Sequence, residues 1–197
     1  MMKKLLMAIL PALLLVSCAA NKPEQALEEA PIITSATYQH TQYNGRNQPV
    51  EVYAAKEDVP PFIITYFRSE EDLEHDLNGS SEAPVEVGDY YARIERPAGN
   101  GYQPGRPIKV EYHIQKAFIS IVTDPVWRFT YDGSPKEIIA VTEPPVDPPL
   151  IVSYFAAGDA AALGAPPRER GQYRVTVVFP GNERYMGASQ ELELWIE

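Results

Sequence analysis

This 197-residue chain contains a single cysteine, three histidines and no apolar run long enough to cross a bilayer. One cysteine excludes an internal disulfide, so the folded part must be held by its core. The histidines, His40, His75 and His113, stand in no spacing of the His-x-x-x-His kind, and no metal site is predicted. Positive charge is also scarce, with 17 Lys and Arg against 27 Asp and Glu and a net charge of −10. That balance argues against nucleic acid as a partner and against electrostatic adhesion to anionic lipid. A Gly-Lys-Ser/Thr loop, a Gly-x-Ser-x-Gly elbow and a dinucleotide fingerprint are all missing, so neither catalytic residues nor a cofactor is predicted and the chain is not read as an enzyme.

What is present is an internal repetition. Asp58-Val59-Pro60-Pro61-Phe62-Ile63-Ile64-Thr65-Tyr66-Phe67 returns 88 positions later as Val146-Asp147-Pro148-Pro149-Leu150-Ile151-Val152-Ser153-Tyr154-Phe155. The same offset carries Tyr43-Asn44-Gly45 onto Tyr131-Asp132-Gly133. At an offset of 83, Glu86-Val87-Gly88-Asp89-Tyr90 meets Glu169-Arg170-Gly171-Gln172-Tyr173, and Tyr102 meets Tyr185. A tandem duplication of this kind points to a module rather than to an active site.

Within each copy the apolar residues alternate with period two. Examples are Tyr90-Ala92-Ile94 and Ile108-Val110-Tyr112-Ile114 in the first, and Tyr173-Val175-Val177-Phe179 and Leu192-Leu194-Ile196 in the second. Such alternation predicts strands with one wet face, punctuated by Pro-Pro and Gly. One additional leading strand per copy is expected near Ile33 to His40 and near Val126 to Thr130. With no long helical run, the fold class predicted is all-β: two tandem immunoglobulin-like β-sandwich domains of antiparallel strands, over 32–116 and 117–197. Glu-x-Gly-x-Tyr, at Tyr90 and again at Tyr173, is similar to the tyrosine corner of such domains. Ser69 to Gly79 carries a capping serine and two leucines on one helical face, but its counterpart in the second copy is five residues shorter, so it is read as a loop decoration. Its acidic residues Glu70, Glu71, Asp72, Glu74 and Asp76 lack the ligand spacing of a calcium loop and are read as solvated.

Residues 1–17 read as a signal peptide: Lys3-Lys4, then an apolar stretch from Leu5 to Val16, too short for a span. They end in Leu15-Val16-Ser17-Cys18, which resembles the bacterial lipobox. The resemblance implies cleavage before Cys18, lipidation of Cys18, and a membrane partner reached through that lipid. The mature chain would carry −12, with both signal lysines removed. Residues 18–31 are expected to be a flexible, disordered tether, with a marginal helix possible at Glu24 to Glu29. Ala19 is not the aspartate associated with inner-membrane retention, so the outer membrane or cell surface is the expected location.

Taken together, Tyr-(Asn/Asp)-Gly, a Pro-rich turn, Ile/Val-(Thr/Ser)-Tyr-Phe, Glu-x-Gly-x-Tyr and the late Gly101-Tyr102 resemble the MBG family of bacterial extracellular repeats. The second copy departs at the last motif, where Arg184 replaces the glycine. The resemblance implies a non-catalytic extracellular module for adhesion or for binding a protein or glycan. The alternative is a structural spacer or an accessory subunit of an envelope complex. Candidate binding residues are Tyr53, Tyr91 and Trp195, aromatic side chains on the polar faces of strands, where sugar rings or a protein interface stack.

Overall fold

The computed structural model describes residues 28–29, 32–34, 36–54, 57 and 60–197. The signal segment 1–17, Cys18 and the tether up to residue 27 lie outside the described residues. In chain order the first copy contributes β1 (Glu28–Glu29), β2 (Ile32–Thr34), β3 (Tyr38–Gln42), β4 (Val52–Ala54), β5 (Ile63–Phe67), α1 (Glu70–His75), β6 (Gly88–Glu95), β7 (Tyr102–Gln103) and β8 (Ile108–Gln115). The second contributes β9 (Ser120–Val122), β10 (Val126–Phe129), β11 (Val141–Glu143), β12 (Ile151–Ala156), β13 (Gly171–Phe179) and β14 (Ala188–Ile196).

Each copy builds the same two layers. A four-stranded sheet, β3-β8-β6-β5 in the first and β10-β14-β13-β12 in the second, faces a two-stranded one, β2-β4 or β11-β9. Among the described residues no strand ladder joins the two halves. Each half has its own core. Tyr66, Tyr90, Ala92, Ile94, Val110, Tyr112 and Ile114 cluster in the first; Tyr154, Tyr173, Val175, Val177, Leu192, Leu194 and Ile196 cluster in the second. Period-two alternation puts these residues on one face of each strand, and burying that face drives the sheets together. The chain is thus all-β with two immunoglobulin-like sandwiches.

The residues that recur in sequence recur in geometry. Tyr90 donates from its hydroxyl to the Glu86 carbonyl at 2.8 Å, and Tyr173 to the Glu169 carbonyl at 2.9 Å. The intervening glycines, Gly88 and Gly171, sit at φ +159° and +152°, a region that only glycine adopts without strain. The Val50 N–H donates to the Tyr66 hydroxyl at 3.2 Å, and the Ile138 N–H to that of Tyr154 at the same distance. Asn44 Oδ1 accepts from the Arg46 N–H and Asp132 Oδ1 from the Ser134 N–H, closing the same side-chain turn.

Several expectations are corrected. Each copy has two leading strands, not one, because the chain crosses from the small sheet to the large one: β2 and β3 at one end, β9 and β10 at the other. The second of each pair lies parallel, not antiparallel, to the last strand of its copy, β3 on β8 and β10 on β14. The tether is not free throughout, since Glu28–Glu29 pairs with Tyr102–Gln103 as a strand. Ser69 to Gly79 is not a solvated loop but contains the helix α1, capped where the Ser69 hydroxyl accepts from the Asp72 N–H at 3.0 Å. That helix and the following turn cover the outer face of the first large sheet. Phe67, which alternation sets on that outer face opposite its core neighbour Tyr66, is therefore only 1 % exposed. A Cβ on Gly79 would come within 2.8 Å of its ring, which is why the turn passes there on a glycine.

Candidate functional site

The three aromatic candidates fall on three different sheets. Tyr53, on β4, is 55 % exposed, and its hydroxyl lies 3.4 Å from a Glu51 carboxylate oxygen. Tyr91, on the outer face of β6, is half-buried beneath the Lys109 ammonium, 5.0 Å from its ring centre. Trp195, on the outer face of β14, is half-buried beneath the Arg128 guanidinium at 5.2 Å. The fold does not bring the three into one surface, and two of them already have a cation on the ring.

The acidic segment spends its charge on the sheet beneath it. Glu70 pairs with Lys109, and Asp76 with Arg93 at 2.7 Å. Hydrogen bonds from Ser69 and then Asn78 hold the Asp72 carboxyl below its ordinary value. Among the described residues no group of three or more His, Cys, Asp or Glu side chains could hold a metal ion. His113 lies on the same outer face, its Nδ1 2.6 Å from Asp89 and its ring 4.7 Å from that of Tyr38.

Arg184, where the second copy departs from the motif, bridges the two halves. Its Nε and a terminal nitrogen donate to both oxygens of Glu86 at 3.0 and 2.8 Å, and its guanidinium lies 5.5 Å from the Tyr43 ring centre. Tyr185 meets the edge of Tyr43 at 5.6 Å. The linker joins the same contact, with the Ala117 N–H donating to the Arg184 carbonyl and its own carbonyl accepting from Met186. Arg184 holds the Glu86 carboxyl below its usual range.

A cleft of about 510 Å³ opens beside β3, in the first copy. Its floor is Gln48 and Tyr112, 5 % and 3 % exposed, joined by the half-buried Thr41 of β3. Thr41 Oγ1 donates to Gln48 Oε1 at 3.1 Å, while Gln48 Nε2, buried, has no partner among the described residues. Burial pushes the Tyr112 hydroxyl up to about 12, so it stays a neutral donor. Gln39 ties the cleft to the small sheet, accepting from the Glu51 N–H at 2.8 Å and donating to its carbonyl at 2.9 Å. The rim includes Asn44, Asn47, Glu51, Tyr38 and His40, all exposed.

The second copy closes the same place. Strand register sets Trp127 where Gln39 stands and Phe129 where Thr41 stands, against Leu194 in place of Tyr112. Trp127 and Phe129 stack with ring centres 5.8 Å apart. Lys136 replaces Gln48 and is satisfied, its ammonium 2.6 Å from Asp132 and 3.1 Å from the Ser134 hydroxyl. The cleft residues were missed in the sequence reading, which aligned the shared motifs only. The signal was there: aligned at 88, Gln39, Thr41 and Gln48 meet Trp127, Phe129 and Lys136.

No protein-family model matches the chain, and no curated protein matches it either. Among solved structures it is similar to Drosophila N-cadherin EC1-3 at 14 % identity, covering 86 % of this chain and 68 % of that one, with a TM-score of 0.30. It is also similar to the Clostridium thermocellum CbhA fibronectin(III)-like modules at 11 % identity, 85 % and 94 % coverage and a TM-score of 0.28. Sidekick-1 immunoglobulin domains 1-4 match at 12 % identity and a TM-score of 0.27, with 88 % of this chain covered and half of that one. At such scores these likenesses carry nothing about function.

Proposed function

We propose that this chain is a lipid-anchored bacterial envelope protein that displays two non-catalytic immunoglobulin-like modules for ligand binding, in the manner the MBG resemblance implies. Cys18 would carry the lipid, and residues 18–27 would tether the modules to the outer membrane or cell surface. The observation that carries the binding reading is the unequal treatment of one position in two otherwise matching sandwiches. The first module keeps an open polar cleft where the second is packed shut. Exposed Tyr53, beside Glu51 on the rim, extends that surface. A glycan array together with a pull-down from envelope extract tests this reading: capture of a sugar or a protein is expected, and capture of nothing defeats it. Cys18→Ser should release the chain from washed membranes, and continued pelleting would count against the anchor.

A second reading, a spacer or accessory subunit, draws on the Arg184–Glu86 contact, which ties the two modules together. Recovery of endogenous envelope subunits alone, with no sugar or foreign protein, would favour it.

A further inference from the structure

We propose that the cleft of the first module is a binding site for an uncharged, hydroxyl-rich ligand, a sugar ring presented by a glycan. This deepens the binding reading above by naming the place and the chemistry. The fold does not force the cleft to exist, because the second module closes it with stacked Trp127 and Phe129 and a satisfied Lys136. At the floor of the cleft in the first module a buried amide donor, Gln48 Nε2, has no partner among the described residues. Buried donors left unmade cost stability and are uncommon in native interiors, whereas binding sites keep such groups for their ligands. At about 510 Å³ the cleft falls within the size range of small-molecule sites.

The side chains select the ligand. Gln48, Thr41, Tyr112, Asn44 and Asn47 offer neutral amide and hydroxyl groups that both donate and accept, matching sugar hydroxyls, which do the same. Among the described residues no lysine or arginine lines the cleft, His40 is its one imidazole, and Glu51 places a carboxylate on its rim. Phosphates, sialic acids and uronic acids therefore meet like charge at Glu51 with no described lysine or arginine to offset it. Gln39, already bonded twice to the Glu51 backbone, holds β3 and the rim in place rather than competing for ligand.

The test is ¹H–¹⁵N NMR titration of the full chain with glucose, galactose, mannose and N-acetylglucosamine, with glucuronate as the charged control. Saturable shifts are expected at the Gln48 side-chain amide, Thr41 and Asn47 with at least one neutral sugar, and weaker binding of glucuronate. Thr41→Phe copies the second module and should cut affinity by about tenfold or more, the scale of losing a buried hydrogen bond to its ligand. Tyr112→Phe keeps the shape and removes one hydroxyl. It should weaken binding by about fivefold, and it decides the matter if Thr41→Phe does not fold. No saturable shift with any neutral sugar would overturn the proposal, as would shifts that map elsewhere or survive both substitutions. Shifts produced only by an extended peptide pairing along β3 would overturn it too. Sugar or protein captured at another surface would refute the cleft and leave the binding reading standing.

Discussion

The two modules share their turns, corners and central strands, and differ in what fills the space beside the leading strand. In the second, Trp127, Phe129 and Leu194 make an apolar wall and Lys136 is paired; in the first, Gln39, Thr41, Tyr112 and Gln48 make a polar one. Because both sit on one scaffold, the apolar filling is the reference state and the polar filling is the deviation. A deviation that leaves a buried donor unpaired weakens the module that carries it, and such a cost persists where function demands it.

The sharpest way to break this comparison is to exchange the two fillings. Phe129→Thr should destabilise the second module by about 2–4 kcal/mol, since it removes an aromatic ring from a packed cluster without a partner for the hydroxyl that replaces it. Both tryptophans of the chain, Trp127 and Trp195, lie in the second module, so denaturation followed by tryptophan fluorescence reads that module alone. The reverse exchange, Thr41→Phe, fills the cleft but removes the Thr41–Gln48 hydrogen bond, so it should not stabilise the first module and should cost it about 1–3 kcal/mol for the buried amide left unpaired. If Phe129→Thr proves neutral, the second module is not packed shut and the contrast fails.

The shared skeleton is tested by the corner tyrosines. Tyr90→Phe and Tyr173→Phe each remove one hydroxyl-to-carbonyl bond of 2.8–2.9 Å. Each should cost about 1 kcal/mol in urea denaturation, and the two costs should agree. A loss confined to one module would show that the recurrence in sequence does not carry the same energetics.

These residues also mark what was legible beforehand. The strands were readable from alternation because a sheet with one buried face repeats every two residues, and the corners because their motif is local. The parallel edge strands were not, because β3 meets β8 some seventy residues away, and nothing within either segment states its neighbour. The burial of Phe67 was not legible for a similar reason: alternation sets its face, but the helix that covers that face comes from a segment whose counterpart in the other copy is shorter and forms no helix. At the cleft, the polar residues of β3 read as an ordinary edge strand until Trp127 and Phe129 show what the scaffold accepts there. Arg184 stood out as a departure from glycine, yet its partner Glu86 lies ninety-eight positions away.

A smaller effect is expected at that junction. Arg184→Gly restores the residue found at the equivalent turn in the first module and removes the bidentate pair with Glu86 and the contact with Tyr43. The pair is solvent-exposed, so neither module should lose measurable stability of its own. The change should instead appear as independent orientation: residual dipolar couplings of the variant should fit two alignment tensors, where those of the native chain fit one. Glu86→Arg combined with Arg184→Glu should recover part of the single-tensor behaviour. If Arg184→Gly still aligns as one body, the linker contact at Ala117 suffices and Arg184 is not the clasp.

The least of the expected differences concerns acid. Asp132 accepts bonds from the Lys136 ammonium and from the Ser134 hydroxyl and N–H, and these hold its carboxyl well below the usual range, the lysine contributing most. Its counterpart in the first module is Asn44, which closes the same turn and does not titrate. A carboxyl whose value is depressed on folding binds fewer protons in the folded state than in the unfolded one. Its contribution is therefore complete above the unfolded value of about 4 and is lost as pH falls below it, toward the folded value. Tryptophan-monitored denaturation midpoints of the second module should thus drop between about pH 4 and pH 2 more steeply in the native chain than in Asp132→Asn. The aspartate also neutralises the nearly buried Lys136, so Asp132→Asn should be the less stable of the two at neutral pH and should approach the native chain as pH falls. Curves that stay parallel through this range would mean that the Asp132–Lys136 pair contributes no pH-dependent stability to closing the second module.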